Sequence, residues 1–361
     1  MQITIDIRIS GCAACCWHCY VNGGPGPIMP IEEYRRCLDV LDPILNGLKK
    51  EGFGRIYLYL DYEPLLHPGI CEILTITRER SGDYFEMPTF PTTGIPIATR
   101  SDWEEVLETL RTTGTNELEF TLHGPEHIQN KATNHPRAFE FHSLAVSRAR
   151  AYGFGTALNL MVTKDMLQHF EETMEVVRSN GYGRKRAAVP CYEPTPRIRR
   201  FEMHRPTLED VEPFREYLST FCDEERDAKY WENVDKYAER NVRRDILSHP
   251  ENYPSFAFLE SQMPSWIFVT VVPGLSIYYG NVGLYHRKLG VLGVDSPESL
   301  VESIRKLKPN YQFGGFYDVQ TLPAPVNVAR KFGDTKSGKL YHTVEDVFFR
   351  WLDLMDMACQ I

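Results

Sequence analysis

Four of the nine cysteines fall within residues 12–19, at Cys12, Cys15, Cys16 and Cys19. Cys12, Cys16 and Cys19 have the spacing Cys-x3-Cys-x2-Cys, which lets one short loop wrap three thiolates around an iron–sulfur cluster and leaves a fourth metal position without a protein ligand. An iron left open in this way can bind a substrate or a cofactor. Cys15 offers a second grouping, Cys-x2-Cys-x3-Cys with the same outer pair, and thiolate chemistry alone does not choose between the two. A structural zinc knuckle, a disulfide pair and chance clustering in a buried turn compete with the cluster reading. Zinc needs four closed ligands, usually as two Cys-x2–4-Cys pairs. Cys37, Cys71, Cys191, Cys222 and Cys359 supply no second pair, and His18 offers only a strained ligand from inside the same loop.

The elements that must hold this loop follow from periodicity. Residues 3–9 alternate apolar with polar and end at Gly11, which predicts a strand with the cysteine loop at its C-terminal end. Tyr34, Cys37, Leu38, Leu41, Ile44, Leu45 and Leu48 recur at helical spacing, so Cys37 is a core residue. A second strand is expected at 55–60 and a helix at 69–80, where Cys71 is a packing residue. Strand and helix then alternate: 86–90 with 101–112, 117–122 with 136–151, 155–162 with 166–179, and a sixth strand at 186–190. Ser101 with Glu104 has the pattern of a capping box. This alternation predicts a parallel sheet with right-handed crossovers. Six units are too few for an eight-fold barrel, so the fold class is α/β, a partial (β/α)6 TIM-like barrel. Chemistry in such folds sits at the C-terminal strand ends, where the cysteine loop falls.

From Pro206 the character changes, which divides the chain into a barrel core at 1–205 and an α+β extension at 206–361. Helices are expected at 207–222 and 223–247. A hairpin is expected from 265–272 and 275–279 around Pro273-Gly274, a helix from Ser296-Pro297, and a last helix from Thr343. The 361-residue chain has no apolar run of the roughly 18 residues that a membrane helix needs, and Met1 leads straight into a strand rather than a signal peptide. The expected location is cytoplasmic. The net charge of -9 disfavours a nucleic-acid partner, although residues 184–200 carry Arg184, Lys185, Arg186, Arg197, Arg199 and Arg200. That stretch reads as a solvated face or as a patch that orients an acidic substrate or leader peptide.

With its ending His18-Cys19-Tyr20, the cysteine loop resembles the signature of the radical S-adenosylmethionine (radical SAM) superfamily, and the family pattern selects Cys12, Cys16 and Cys19. The resemblance covers roughly the first 200 residues. It implies a [4Fe-4S] cluster that reduces bound S-adenosylmethionine, so that a 5'-deoxyadenosyl radical takes a hydrogen atom from the substrate. It also implies an electron donor such as flavodoxin or ferredoxin. Glu63-Pro64 resembles the family's Gly-Gly-Glu-Pro segment, in which a carboxylate suits the methionine ammonium; here Asp61 and Tyr62 stand where the family has paired glycines. Thr92-Thr93-Gly94 is similar to the family's Thr-Asn-Gly turn, and Thr121, His123 and Asn159 occupy places of polar cofactor contacts. Residues 271–281 with Leu289-Gly290 and Ser299-Leu300 resemble a SPASM or twitch extension without its auxiliary-cluster cysteines. That region is expected to close the barrel and to shape a pocket with Trp266, Tyr278, Tyr279 and Tyr285. Cys191, just past the sixth strand, is the candidate hydrogen-atom donor, with Tyr192 as an alternative relay. The implied substrate is a small polar metabolite or a peptide in natural-product biosynthesis; the 11 residues ahead of the loop tilt the expectation toward the small molecule unless a separate partner delivers a peptide. A non-enzymatic metal or electron-transfer protein and a nucleic-acid-modifying enzyme are the rival functions.

Overall fold

Alternation in the first strand sets up both faces of the fold. In β1 (Gln2–Ile7), Ile3, Ile5 and Ile7 are fully buried, while Thr4 and Asp6 point to the other side of the sheet. β2 (Arg55–Leu60) runs parallel to β1 along its whole length, and α1 (Ile31–Lys50) makes the crossover. The buried stripe of α1 is Tyr34, Cys37, Leu38, Leu41, Ile44, Leu45 and Leu48, as the periodicity predicts. The computed structural model describes residues 1–19, 22–85, 87–192, 195–255, 266–280, 287–307 and 322–359. Tyr20, Glu86, Tyr285 and the side chain of Trp266 lie outside the described residues.

β3 (Thr89–Thr92), β4 (Glu117–Leu122), β5 (Gly155–Met161) and β6 (Arg184–Ala188) form a second parallel sheet in that order. Helices α2 (Ile70–Ser81), α3 (Ile95–Thr99), α4 (Trp103–Thr112), α5 (Glu126–Thr133), α6 (Ala138–Ala151), α7 (Lys164–Gln168) and α8 (Phe170–Asn180) fill the crossovers. The six strands and their helices make the expected partial barrel, divided between β2 and β3 into two hydrogen-bonded sheets. The C-terminal part of the chain joins the first sheet. β7 (Trp266–Val272) lies parallel to β1 on its free edge, and β8 (Ser276–Tyr279) and β9 (Arg287–Val291) continue antiparallel from it. The expected hairpin therefore does more than cap the fold: it covers the open edge of the strand that leads into the cysteine loop.

Several boundaries differ from expectation for local reasons. The capping box at Ser101 does not form, because the N-cap is Asp102 and Arg100 takes its carboxylate in a two-pronged ion pair at 2.8 and 2.6 Å. The box that does form joins Thr207 and Asp210 and opens α10 (Leu208–Val211). The helix expected at 166–179 is broken at His169 into α7 and α8. The two expected after Pro206 are divided into shorter segments, among them α11 (Arg215–Phe221), α12 (Glu225–Glu232) and α13 (Glu239–Ser248). Ser296 caps α14 (Pro297–Arg305) as predicted, its hydroxyl accepting from Ser299 N–H at 3.2 Å.

A buried ionic network fixes the C-terminal part against the barrel. Arg205, 1% exposed, donates from Nε to Glu202 at 2.5 Å, and its Nη1 donates to the carbonyls of Pro190 and Leu340 at 2.8 and 3.1 Å. Tyr341 donates its hydroxyl to the other Glu202 oxygen at 3.0 Å. Despite burial, the cations around Glu202 hold its carboxyl below the usual range. Glu202→Ala leaves the Arg205 guanidinium buried without its carboxylate, and a loss of about 3–5 kcal/mol is expected in urea unfolding. A loss under about 1 kcal/mol would show that solvent reaches Arg205.

Candidate functional site

Backbone contacts on two sides shape the cysteine loop. Gly11 lies against the chain at Gly24 and Gly26, where an added Cβ would come within 2.5 Å of the Gly24 carbonyl, and Cys12 N–H donates to that carbonyl at 2.7 Å. On the other side, Cys15 N–H donates to Thr133 O and Trp17 N–H to Ala132 O, each at 2.9 Å. Those carbonyls end α5 and have no partner within the helix. The loop thus serves as the C-terminal cap of α5, a helix the sequence reading had not identified.

Cys12, Cys16 and Cys19 line one cavity together with Tyr62, Glu63, Thr93, Thr121 and His123. Cys15 instead lines a separate surface pocket with Trp17, Arg197 and His204. Gly23 N–H donates to Cys19 Sγ at 3.0 Å, the kind of backbone bond that stabilises a thiolate. Burial pushes the Cys12 and Cys16 thiols up; Glu63 adds to this at Cys12, and the neighbouring cysteines add to it at Cys16. A bound metal ion inverts that preference, since a coordinating thiol is deprotonated.

Glu63 is 1% exposed and anchored by the end of β3. Thr92 donates its hydroxyl to the two carboxylate oxygens at 2.9 and 3.1 Å, while Thr93 donates its N–H at 2.5 Å and its hydroxyl at 2.6 Å. Burial pushes the carboxyl up to about 7 against the pull of these bonds. Tyr62 precedes it at φ 67°, in the left-handed region that glycine enters freely. The backbone shape is therefore kept without glycine, at a strain of about 1–2 kcal/mol. Asp61 supports the turn by accepting Tyr62 N–H at 2.6 Å, and the Arg8 guanidinium lies 4.5 Å from the Tyr62 ring centre.

At the end of β4, Gln129 of α5 clamps the strand, accepting His123 N–H at 2.7 Å and donating to Thr121 O at 3.2 Å. The His123 ring lies 4.5 Å from that of His18, and a ligand nitrogen of each falls within 4.8 Å of the other and of Cys16 Sγ. Burial pulls both imidazoles down, His18 to about 4, so both are neutral near pH 7. His18 Nδ1 and His123 Nε2 are buried without hydrogen-bond partners.

Comparison with known proteins gives this arrangement its family. Residues 7–177 match the family model described as the Radical SAM superfamily. They form a radical SAM domain. The structure of native anSMEcpe with bound AdoMet is similar to this chain at 15% identity and a TM-score of 0.52, covering 99% of this chain and 100% of that one. Streptococcus suis SuiB bound to the precursor peptide SuiA is similar at 14% identity and a TM-score of 0.51, covering 95% of this chain and 75% of that one. The structure of anSMEcpe with AdoMet and the Cp18Cys peptide is similar at 14% identity and a TM-score of 0.51, over 100% and 99% of the two chains. No curated protein sequence matches the chain significantly.

The cofactors of a radical SAM domain are a [4Fe-4S] cluster and S-adenosylmethionine. The residues present fit them: three thiols share one cavity wall, a backbone N–H supports one sulfur, and a buried carboxylate suited to an ammonium lies in the same cavity. Of the residues singled out in the sequence, Tyr62, Thr93, Thr121 and His123 line this cavity with Glu63 and the three cysteines. Asn159 and Cys191 are not among its lining residues. β6 ends at Ala188, two residues before the expected strand end, so Cys191 lies in the connection to α9 (Pro196–Phe201). Tyr192 is fully buried and donates to Asp353 at 2.5 Å, which gives it a structural partner in α15 (Val344–Cys359). Thr92 of the Thr92-Thr93-Gly94 turn lines this cavity as well, as do Glu119 and Gln129, which no sequence motif had marked.

Proposed function

We propose that this radical SAM enzyme abstracts a hydrogen atom from a polar metabolite or a peptide, with Cys12, Cys16 and Cys19 holding the cluster. The observation that carries the residue assignment is the shared cavity of these three thiols with Glu63. When bound, the cluster and S-adenosylmethionine supply a reductive cleavage whose product removes a hydrogen atom from the substrate. Glu63, fixed by Thr92 and Thr93, receives the methionine ammonium, and Tyr62, Thr121 and His123 complete the cofactor wall. The chain's own contribution is orientation and exclusion of water. Residues 206–361 close the barrel, a role supported by the pairing of β7 with β1. SuiB and anSMEcpe, both seen with peptides, share the fold and make a peptide substrate the first one to test.

The experiment is anaerobic reconstitution with iron and sulfide, reduction with dithionite, and mass spectrometry for 5'-deoxyadenosine after addition of S-adenosylmethionine. Formation of 5'-deoxyadenosine is expected. Protein that binds neither cluster nor S-adenosylmethionine would return the loop to a structural role. A second reading, a single zinc ion held by Cys16, His18 and His123, has the convergence of those three groups in its favour. It predicts tightly held zinc and no acid-labile sulfide.

A further inference from the structure

We infer that the barrel lumen beside this cavity holds a cationic group of the substrate, an ammonium or guanidinium, against Asp6. The inference rests on the reading of the cavity as the cofactor site and adds a substrate class to it. A barrel lumen that serves only stability is filled with branched apolar side chains. Here the apolar residues of each strand face the helices: Ile3, Ile5 and Ile7 of β1, Leu58 and Leu60 of β2, Leu118, Phe120 and Leu122 of β4. Alternation turns Thr4 and Asp6, Tyr57 and Tyr59, Glu117, Glu119 and Thr121 to the opposite face. Glu119 and Thr121 line the cofactor cavity, which identifies that face as the lumen side.

Arg55 begins β2 on this face and is exposed; the other charges there pair off with one exception. Arg184 donates to Glu117 at 2.6 Å and Arg186 to Glu119 at 3.2 Å, while Arg8 acts on Asp61 and lies over the Tyr62 ring. These ion pairs also remove the reading of Arg184 and Arg186 as a free basic patch for an acidic substrate. Asp6 is 3% exposed, and among the described residues its carboxylate has neither a hydrogen bond nor an ion pair. Register sets Asp6 beside Tyr59 on that face, and Asp61 holds the backbone N–H of Tyr62, which lines the cavity with Glu119.

A second group, on a different strand, has the same need. Asn159 is 7% exposed, and its Oδ1 is buried without a donor. It pairs in register with Thr121 of the cavity wall and with Arg186, which places it on the lumen face. Both unmet groups accept hydrogen bonds. A buried carboxylate without a partner costs several kcal/mol unless it takes up a proton or a cation. Burial, with Asp61 adding to it, pushes the Asp6 carboxyl well up, the direction a carboxylate takes when no cation stands beside it. Arg186 Nε is an unpartnered donor on the same wall, which is why an anionic probe belongs in the test.

The test is calorimetric titration with n-butylammonium, n-butylguanidinium, uncharged 1-pentanol and pentanoate, with and without bound cluster and S-adenosylmethionine. The two cations are expected to bind at least about tenfold tighter than pentanol. Asp6→Asn should abolish that preference and leave S-adenosylmethionine affinity within about twofold of wild type. Equal binding of cation and alcohol by the wild type, a preference that survives Asp6→Asn, or tighter binding of pentanoate would overturn the inference. If Asp6→Asn does not fold, the cation-to-alcohol ratio of the wild type decides alone. Failure of the proposed function would appear elsewhere, as absence of cluster or S-adenosylmethionine uptake before any probe is added.

Discussion

Cys16→Ala is expected to lose the iron–sulfur cluster and to lower 5'-deoxyadenosine formation at least about a thousandfold, while Cys15→Ala keeps both near wild-type levels. Thiolate spacing alone permits either residue as the middle ligand. The fold separates them, because Cys16 shares a cavity with Cys12, Cys19 and Glu63 whereas Cys15 faces Trp17 and Arg197 in a surface pocket. Cys12→Ala and Cys19→Ala should behave as Cys16→Ala does, since three ligands acting as one unit are each indispensable. Iron and acid-labile sulfide per chain, with the product assay, make the measurement. His123→Ala is the informative companion. If a zinc ion sits at Cys16, His18 and His123, this variant loses its metal; if a cluster sits on the three cysteines, iron and sulfide stay and only S-adenosylmethionine binding weakens. Cluster loss in Cys15→Ala with retention in Cys16→Ala would establish the other grouping.

The barrel strands and the long crossover helix were legible because each has one dominant period. The stripe of α1 and the alternation of β1, β2 and β4 give the same face assignments in sequence and in structure. Motif residues were legible for a different reason: thiols and a carboxylate within short loops have few structural uses. The missed parts depend on contacts between distant segments. α5 is short, and its C-terminal carbonyls are satisfied by Cys15 and Trp17, more than a hundred residues earlier in the chain. Gln129 carries no motif, yet it holds the end of β4 that carries His123. Ser101 has the residue type for a cap, but Arg100 engages Asp102 and moves the helix start. Asp6 reads as an ordinary alternating polar residue. Its isolation follows only from the pairing of Glu117 and Glu119 with Arg184 and Arg186 of β6 and from the pull of Arg8 on Asp61.

Glu63→Gln should weaken S-adenosylmethionine binding by about ten- to a hundredfold, the effect of removing one charge-assisted hydrogen bond of roughly 1.5–3 kcal/mol. The variant is isosteric, and its side-chain oxygen can still accept from Thr93 N–H, so the turn after β3 keeps its shape. Stability should move the other way. The folded-state carboxyl is raised by burial from 4.5 to about 7, so as pH rises above its unfolded value the folded chain must hold a proton that the unfolded chain has released. Glu63 therefore opposes folding increasingly between about pH 4.5 and 7 and by a constant amount above that. Glutamine removes this penalty, and the melting temperature of the cofactor-free variant at pH 8 should equal or exceed that of the wild type. A structural carboxylate would give the opposite pair of results, unchanged ligand affinity and a lower melting temperature. The combination of weaker binding with undiminished stability is what a charge kept buried for a ligand predicts.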